Sequence, residues 1–398
     1  MKVFLARLLV PIACALLFSS CATERGSLSG SPPDVKMNKE AGRGGFIFVT
    51  VSLANGQKLP FILDTGSTGT LFDKSLEPKL GPCVNVTEDW LFGIKVKAAR
   101  YFAPQLYLGQ TPLKMTGTYV HTLDLMEMST NCGRRVLGIL GMDVLGNYCV
   151  QLDFAANRIR FLDYRQADKS GWGQPFPLIE AGDGSPYIGQ NLVGSQGRGS
   201  LIDTGCSYDG WLTPGLFEQW TNQVHDGLTH STNGILGGEI YSGVDLDELE
   251  ANLFASGDRH MKFNGIGLRV LSRNLVTFDF PEQTIYLKRI LSGPLIDKYM
   301  EDTAKREGQS AYKYLRQVQA DGQLPGVAAN DELLGSDIHF LFHYPATVTF
   351  DHIVKKGGAG IIHVKMARAY PHGAWKLQRV WRADEMGHSL QEFPATKP

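Results

Sequence analysis

The chain is short of the features that mark several classes of function. Its 39 Lys+Arg stand against 40 Asp+Glu, a formal net charge of −1, so it lacks the basic excess by which nucleic-acid-binding domains attract a polyanion. Beyond Cys21 no apolar run is long enough to cross a bilayer as a helix. Cysteine is scarce. Of six, Cys14 and Cys21 lie in an N-terminal leader, and Cys83, Cys132, Cys149 and Cys206 match no zinc spacing. Six histidines fall near the C-terminus (His339, His343, His352, His363, His372 and His388), but no HxH or HExxH spacing accompanies them, so no metal is expected. Low-complexity periods are also missing. What is plentiful is glycine and proline, 45 and 19 residues, a turn-rich composition that suits many short strands better than long helices. With 43% apolar and 20% charged residues the chain is globular, and 398 residues suggest two or three domains at roughly 100–200 residues each.

The leader is legible in its charge and hydropathy. Lys2 and Arg7 form a positive start, Leu8 to Phe18 an apolar core, and Ser19-Ser20-Cys21 a small-residue end. Residues 1–20 therefore read as a signal peptide and the protein as exported. Phe18-Ser19-Ser20-Cys21 resembles a bacterial lipobox, with Phe where Leu is usual. That resemblance implies lipidation of Cys21 and a periplasmic or outer-membrane lipoprotein; secretion with cleavage nearby is the alternative. Residues 21–44, rich in Ser, Gly, Pro and charge, read as a tether. Export permits a disulfide, and Cys83–Cys132 is the pair to test first.

From Phe46 onward the pattern is duplicated. Phe46 to Leu53 reads as a strand, Asn55-Gly56 as a turn, and Leu59 to Leu63 as a strand that runs into Asp64-Thr65-Gly66-Ser67. Later, Tyr187 to Val193, a glycine-rich turn at 194–199 and Ser200 to Ile202 lead into Asp203-Thr204-Gly205-Cys206. Each half then closes alike: the segment from Gly141 to Phe161 aligns without a gap to that from Gly267 to Leu287, both carrying an apolar strand that ends in Asp-Phe. Two related β lobes, at 45–165 and 175–290, are the simplest reading. Residues 294–398 change composition. A helix is expected over 295–319, followed by strands at 338–344, 347–354, 361–370 and 375–382, which makes a small α+β domain in which Trp375, Leu377 and Trp381 share one strand face.

Two Asp-Thr-Gly motifs, each closing a strand and heading one half of a duplication, resemble the aspartic proteases of the retropepsin/pepsin group in a two-lobed bacterial form. The resemblance spans residues 46–289. It implies an all-β fold in which two acid-protease lobes form a pseudo-dimer within a monomer, with Asp64 and Asp203 catalytic and no cofactor. Two carboxylates about 3 Å apart cannot both ionise; they share a proton, so that one activates water while the other protonates the scissile carbonyl. By the same resemblance Gly66 and Gly205 bring backbone N–H groups to the carboxylates, and Thr65 and Thr204 hold the two loops together. Ser67 can donate to the outer oxygen of Asp64, where Cys206 offers a weaker thiol. Ile139, Leu140 and Gly141 brace the first loop, while Gly265-Ile266-Gly267 has lost one apolar position, which makes the second site the less rigid one. A flap is expected over Thr87 to Tyr101, with Trp90, Leu91, Phe92 and Gly93 at its tip. The expected activity is endopeptidase cleavage of polypeptide. The competing readings are a catalytically degenerate peptide-binding protein of the same fold and a dimer that pairs first lobes.

Overall fold

The structure is a computed structural model that describes residues 32–91, 94–179, 184–194, 199–217, 220, 232–244, 246–248, 263–296, 298–331, 333–341, 347–355, 361–369, 373–383 and 389–393. The segment expected to be a signal peptide, residues 1–20, and the expected lipidation site Cys21 lie outside the described residues. The fold is mostly β with few helices, and among the described residues no helix is long and apolar enough to cross a membrane.

Each half is built on a buried hairpin. Phe48–Leu53 and Lys58–Leu63 pair antiparallel, with Val51, Leu59 and Phe61 excluded from water. Gly56 closes their turn at φ +79°, and the Asn55 side chain accepts from the Gln57 N–H, the local bond that suits Asn-Gly to such a turn. Lys58–Leu63 then pairs in parallel with Gly138–Leu140. In the second half Ser200–Ile202 pairs in parallel with Asn264–Ile266. The strand expected at 187–193 is shorter, Tyr187–Ile188, because the chain turns at Asn191, whose side chain accepts from the Val193 N–H.

The halves meet in one sheet. Strand Cys149–Asp153 pairs antiparallel with Asn274–Asp279, Gln151 standing opposite Thr277. The alignment that takes Gly141 to Gly267 also takes Gln151 to Thr277. Exchanging the halves therefore returns the same register, centred on the buried hydrogen bond from Gln151 Nε2 to Thr277 Oγ1 (2.9 Å). Outward on either side lie Arg158–Leu162 and Thr284–Arg289, then Val35–Lys36 and Gln174–Ile179. One continuous apolar core runs through both halves, from Leu59 and Phe61 to Ile202, Ile266 and Phe278.

That edge strand corrects the reading of 21–44 as a tether for its described part, residues 32–44; residues 21–31 lie outside the described residues. Val35 pairs with Ile159, Met37 and Ala41 are buried, the Asn38 side chain accepts from the Phe48 N–H, and Ser272 of the second half donates to the Gly42 carbonyl. Val35–Lys36 occupies the place that Gln174–Ile179 takes in the other half. The composition of a linker concealed a strap anchored by the buried Met37 and Ala41.

The C-terminal unit packs helix Lys298–Ala320 with a five-stranded antiparallel sheet. Ala311, Leu315 and Val318, one helical face, are buried with Ile362, Val364, Met366 and Val380. Gly322, at φ +66°, ends the helix. A strand Ser389–Phe393 follows those expected from sequence. Of the face expected for Trp375, Leu377 and Trp381, the first two pack into the core and Trp381 does not. A bulge opposite Lys365 and Met366 pairs Met366 with Leu377 but Val364 with Val380, so one extra residue moves Val380, not Trp381, onto the core face. Cys83 and Cys132, the pair to test first for a disulfide, are both free thiols, Cys83 on an exposed segment and Cys132 half-buried.

Candidate functional site

The two strand–turn motifs come together at the junction of the halves, and their threonines lock them. The Thr65 N–H donates to Thr204 Oγ1 (2.9 Å) and the Thr204 N–H to Thr65 Oγ1 (3.0 Å). Each hydroxyl in turn donates into the opposite strand, Thr65 to the Ile202 carbonyl (2.6 Å) and Thr204 to the Leu63 carbonyl (2.9 Å). Both threonines are fully buried. Four bonds thus pair the N–H and hydroxyl of both threonines, and the two loops cannot separate without leaving these groups unpaired.

This lock sets the aspartates face to face. Asp64 Oδ1 accepts from the Gly66 N–H (2.8 Å) and the Ser67 N–H (3.2 Å); Asp203 Oδ1 accepts from the Gly205 N–H (2.7 Å). Each glycine lies against the other half's carboxylate. A Cβ on Gly66 would stand 2.6 Å from Asp203 Oδ1, and one on Gly205 would overlap the Asp64 carboxyl. Any side chain there would push the pair apart. Burial raises Asp203 well above the ordinary carboxylate range; the charge of Asp64 and a hydrogen bond between the two side chains raise it further, against the lowering effect of the Gly205 and Cys206 N–H groups. A carboxyl pair in this state holds one proton between two oxygens at a pH where free carboxylates hold none.

Behind each loop sits the same backbone frame. The Asp64 and Asp203 N–H groups donate to the Leu140 and Ile266 carbonyls, and Met142 and Leu268, which open the one-turn helices Met142–Leu145 and Leu268–Leu271, donate to Ser67 and Cys206. Gly141 and Gly267 have no room for a Cβ: the first abuts the Gly69 and Ser67 carbonyls, the second the Tyr208 carbonyl and Cys206 Sγ. Of the brace residues, Leu140, Gly141 and Gly267 thus touch the aspartate loops directly, while the Ile139 side chain packs with Phe48, Ile62 and Leu123. The apolar position lost at Gly265 is filled by Trp211, whose ring packs where a Cβ would stand. Gly265 stands opposite Trp211 where, in the first half, Ile139 stands opposite Leu71, so volume has moved from one strand to its neighbour.

Two sequence expectations about this site need correction. The Ser67 hydroxyl donates to the Gly69 carbonyl (2.8 Å) and not to the outer oxygen of Asp64; having one proton, it cannot do both. The tight turn at 67–69 brings that carbonyl closer. Cys206 points its thiol at the Tyr208 carbonyl (3.9 Å) and is buried with Tyr187, Leu201 and Trp211, a packed residue in the place where a weak donor to Asp203 was expected. Cys149 lies in the core, its thiol pushed up to about 12 by burial and by Asp279.

The expected flap segment forms a hairpin, Asn85–Leu91 against Ile94–Phe102, with Leu91 opposite Ile94. Trp90 and Leu91 end its first strand, while Phe92 and Gly93 lie outside the described residues. Only Ala99 to Phe102 of this hairpin pair onward, with Tyr119–Leu123. In the second half the hairpin Thr232–Leu236/Glu239–Val244 holds the same place in chain order.

Sequence reading missed the ionic support of the second loop. Asp209, the counterpart of Thr70, is fully buried and paired with Arg273 (2.8 Å) and Arg269 (3.6 Å). The signal was present: in the gapless alignment Asp143 and Asn147 become Arg269 and Arg273, a charge reversal inside an otherwise apolar segment. Among the described residues no group of three or more His, Cys, Asp or Glu side chains is arranged to hold a metal ion. The chain matches no protein-family model and no curated protein sequence, so the two interlocked Asp-Thr-Gly turns are the evidence from which its function is argued.

Proposed function

We propose that the protein is an exported, lipid-anchored aspartic endopeptidase, a single-chain pseudo-dimer of two retropepsin-like lobes that cleaves extended polypeptide with the Asp64–Asp203 pair. One observation carries this reading: reciprocal hydrogen bonds between Thr65 and Thr204 hold two carboxylates so close that each occupies the space a side chain on the other loop's glycine would need. The register symmetry about Gln151 and Thr277 supports the pseudo-dimer. In the reaction the ionised member takes a proton from a water bound between the carboxylates, and the oxygen of that water bonds to the scissile carbonyl carbon. The protonated member gives its proton to the carbonyl oxygen. In the collapse of the tetrahedral diol the C–N bond breaks, the amine takes a proton from the protonated carboxyl, and a diol hydroxyl gives its proton to the ionised carboxylate, which restores the pair. No metal or organic cofactor is needed, and the partner is a polypeptide, not a nucleic acid.

The test is digestion of a mixed peptide library at pH 3–7 by the purified mature protein, with and without a statine-type inhibitor. Inhibitor-sensitive cleavage that disappears in Asp64→Asn supports the reading; cleavage that survives in Asp64→Asn overturns it. The second reading, a peptide-binding protein that does not cut, is favoured by the Ser67 hydroxyl and the Cys206 thiol being directed to the Gly69 and Tyr208 carbonyls. It predicts tight binding of peptides that stay intact at every pH.

A further inference from the structure

Arg273 is the largest fully buried side chain among the described residues. Its guanidinium meets four separate segments. Nη2 donates to Asp209 Oδ1 (2.8 Å), in the loop after the second Asp-Thr-Gly, and lies 3.5 Å from the Gly243 carbonyl. Nη1 donates to Ser242 in the 232–244 hairpin (2.7 Å) and to Ser292 in the exit toward the C-terminal helix (3.3 Å), and Nε to Arg269 in the brace helix (3.0 Å). Its own carbonyl accepts from the Ile290 and Leu291 N–H groups, and Ser242 donates to Ser292 beside it. From Asp209 a short path leads to the site. The Asp209 carbonyl accepts from the Gly267 N–H (2.9 Å), Gly267 leaves no space beside Cys206 Sγ, and the Cys206 N–H donates to the Asp203 carbonyl (3.4 Å). Among the described residues the first half carries no charged hub here; Asn147, at the aligned position, reaches one distant segment, through the Lys114 carbonyl, and otherwise bonds the Asp143 and Val144 carbonyls of its own helix.

We propose that Arg273 is a positioning residue for Asp203: it clamps the second aspartate's loop, the 232–244 hairpin and the 290–292 exit segment into one rigid body. A buried charge at this point is expensive unless every donor is used. Arginine suits the place because its planar fork carries five donors at fixed angles, whereas a lysine ammonium is a point charge with three. The inference rests on the two-aspartate reading of the site.

The test compares full-length wild type with Arg273→Lys, which keeps the charge and loses the fork. Three quantities are read: thermal unfolding, kcat and KM for inhibitor-sensitive peptide cleavage, and labelling of Cys206 relative to Cys149 by a neutral thiol reagent under native conditions. The expected result is a folded variant with kcat about 10²-fold lower, KM within about threefold, and Cys206 labelled about tenfold faster relative to Cys149. Cys149 sits in the sheet between the halves and reports global opening. An unchanged labelling ratio, or a loss of kcat no greater than the fraction unfolded, would make Arg273 a structural residue only and overturn the proposal. If wild type cleaves nothing, the protease reading fails while the labelling ratio still tests the clamp. Should Arg273→Lys not fold, hydrogen exchange of the wild type decides. The Ser242, Gly267, Ile290 and Leu291 amides are expected to open with one free energy and one denaturant slope, and separate values would overturn the clamp.

Discussion

The two halves place their aspartates on the same backbone frame and support them with opposite chemistry. In the first half the Thr70 hydroxyl donates to the Asp143 carboxylate (2.7 Å), joining the loop to the brace helix. Burial pushes Asp143 upward and the Thr70 bond partly offsets it. In the second half the carboxylate has moved to the loop, as Asp209, and the helix side supplies Arg269 and Arg273. The main-chain bonds behind the loops are the same in both: Asp64 to Leu140 and Asp203 to Ile266, Met142 to Ser67 and Leu268 to Cys206. Topology dictates those bonds, because parallel pairing of the braced strand brings the same N–H and C=O groups together whatever the side chains. The side chains need only leave no buried polar group unpaired. A neutral donor with a carboxylate meets that condition, and so does a carboxylate with two guanidinium groups.

The comparison can be broken most forcefully at the aspartates. Asp64→Asn and Asp203→Asn are each expected to lower inhibitor-sensitive peptide cleavage by about 10²–10⁴-fold; if only Asp64→Asn does so, the halves do not share a site. Next comes the buried ionic support. Asp209→Ala strands Arg273 in the core and should cost about 3–5 kcal/mol in urea unfolding. Thr70→Val, at the aligned position, removes one bond to a carboxylate and should cost about 1.5–3 kcal/mol. Equal costs would mean that the two supports do not differ in kind. The lock between the halves should respond symmetrically: Thr65→Val and Thr204→Val each leave a buried N–H unpaired, for about 1–3 kcal/mol apiece.

The smallest effect is one of pH. Asp203 is raised in the folded protein by burial and by Asp64, so the native state binds its proton more tightly than the unfolded chain. Stability therefore falls as pH rises from the ordinary carboxylate value of 3.8 through the raised one, and the penalty stays in full above it. Asp203→Asn, which cannot ionise, should then melt higher than wild type near neutral pH and lose that advantage as pH falls toward 3.8. An advantage that persists at pH 3 would assign the gain to packing and not to charge.

Much of this was legible along the chain because it is local. Asp-Thr-Gly after an apolar strand, Asn-Gly between two strands, and the repeated Asp-Phe strand are short patterns that each specify a turn or a strand with little help from afar. The strap at 35–45 was not legible: with Met37 and Ala41 among Ser, Gly and charge, burial is decided by the sheet edge they meet and not by their own composition. Nor was the bulge before Val380, since one unpaired residue shifts which side chains face inward without altering the apolar count. The cysteines show the same limit: Cys83 and Cys132 could pair by sequence, and their placement leaves both free.

Two related strand–turn units that each end in a carboxylate are written along the chain, because an apolar strand followed by Asp-Thr-Gly is a local instruction. What those units do to each other depends on how the halves pack. Antiparallel pairing of Cys149–Asp153 with Asn274–Asp279 brings Thr65 within reach of Thr204 and Asp64 within reach of Asp203. Where the Ser67 proton goes, and why a charged Arg273 can be buried, depend on acceptors far along the chain. Such contacts are settled by distance in space, which sequence order does not record.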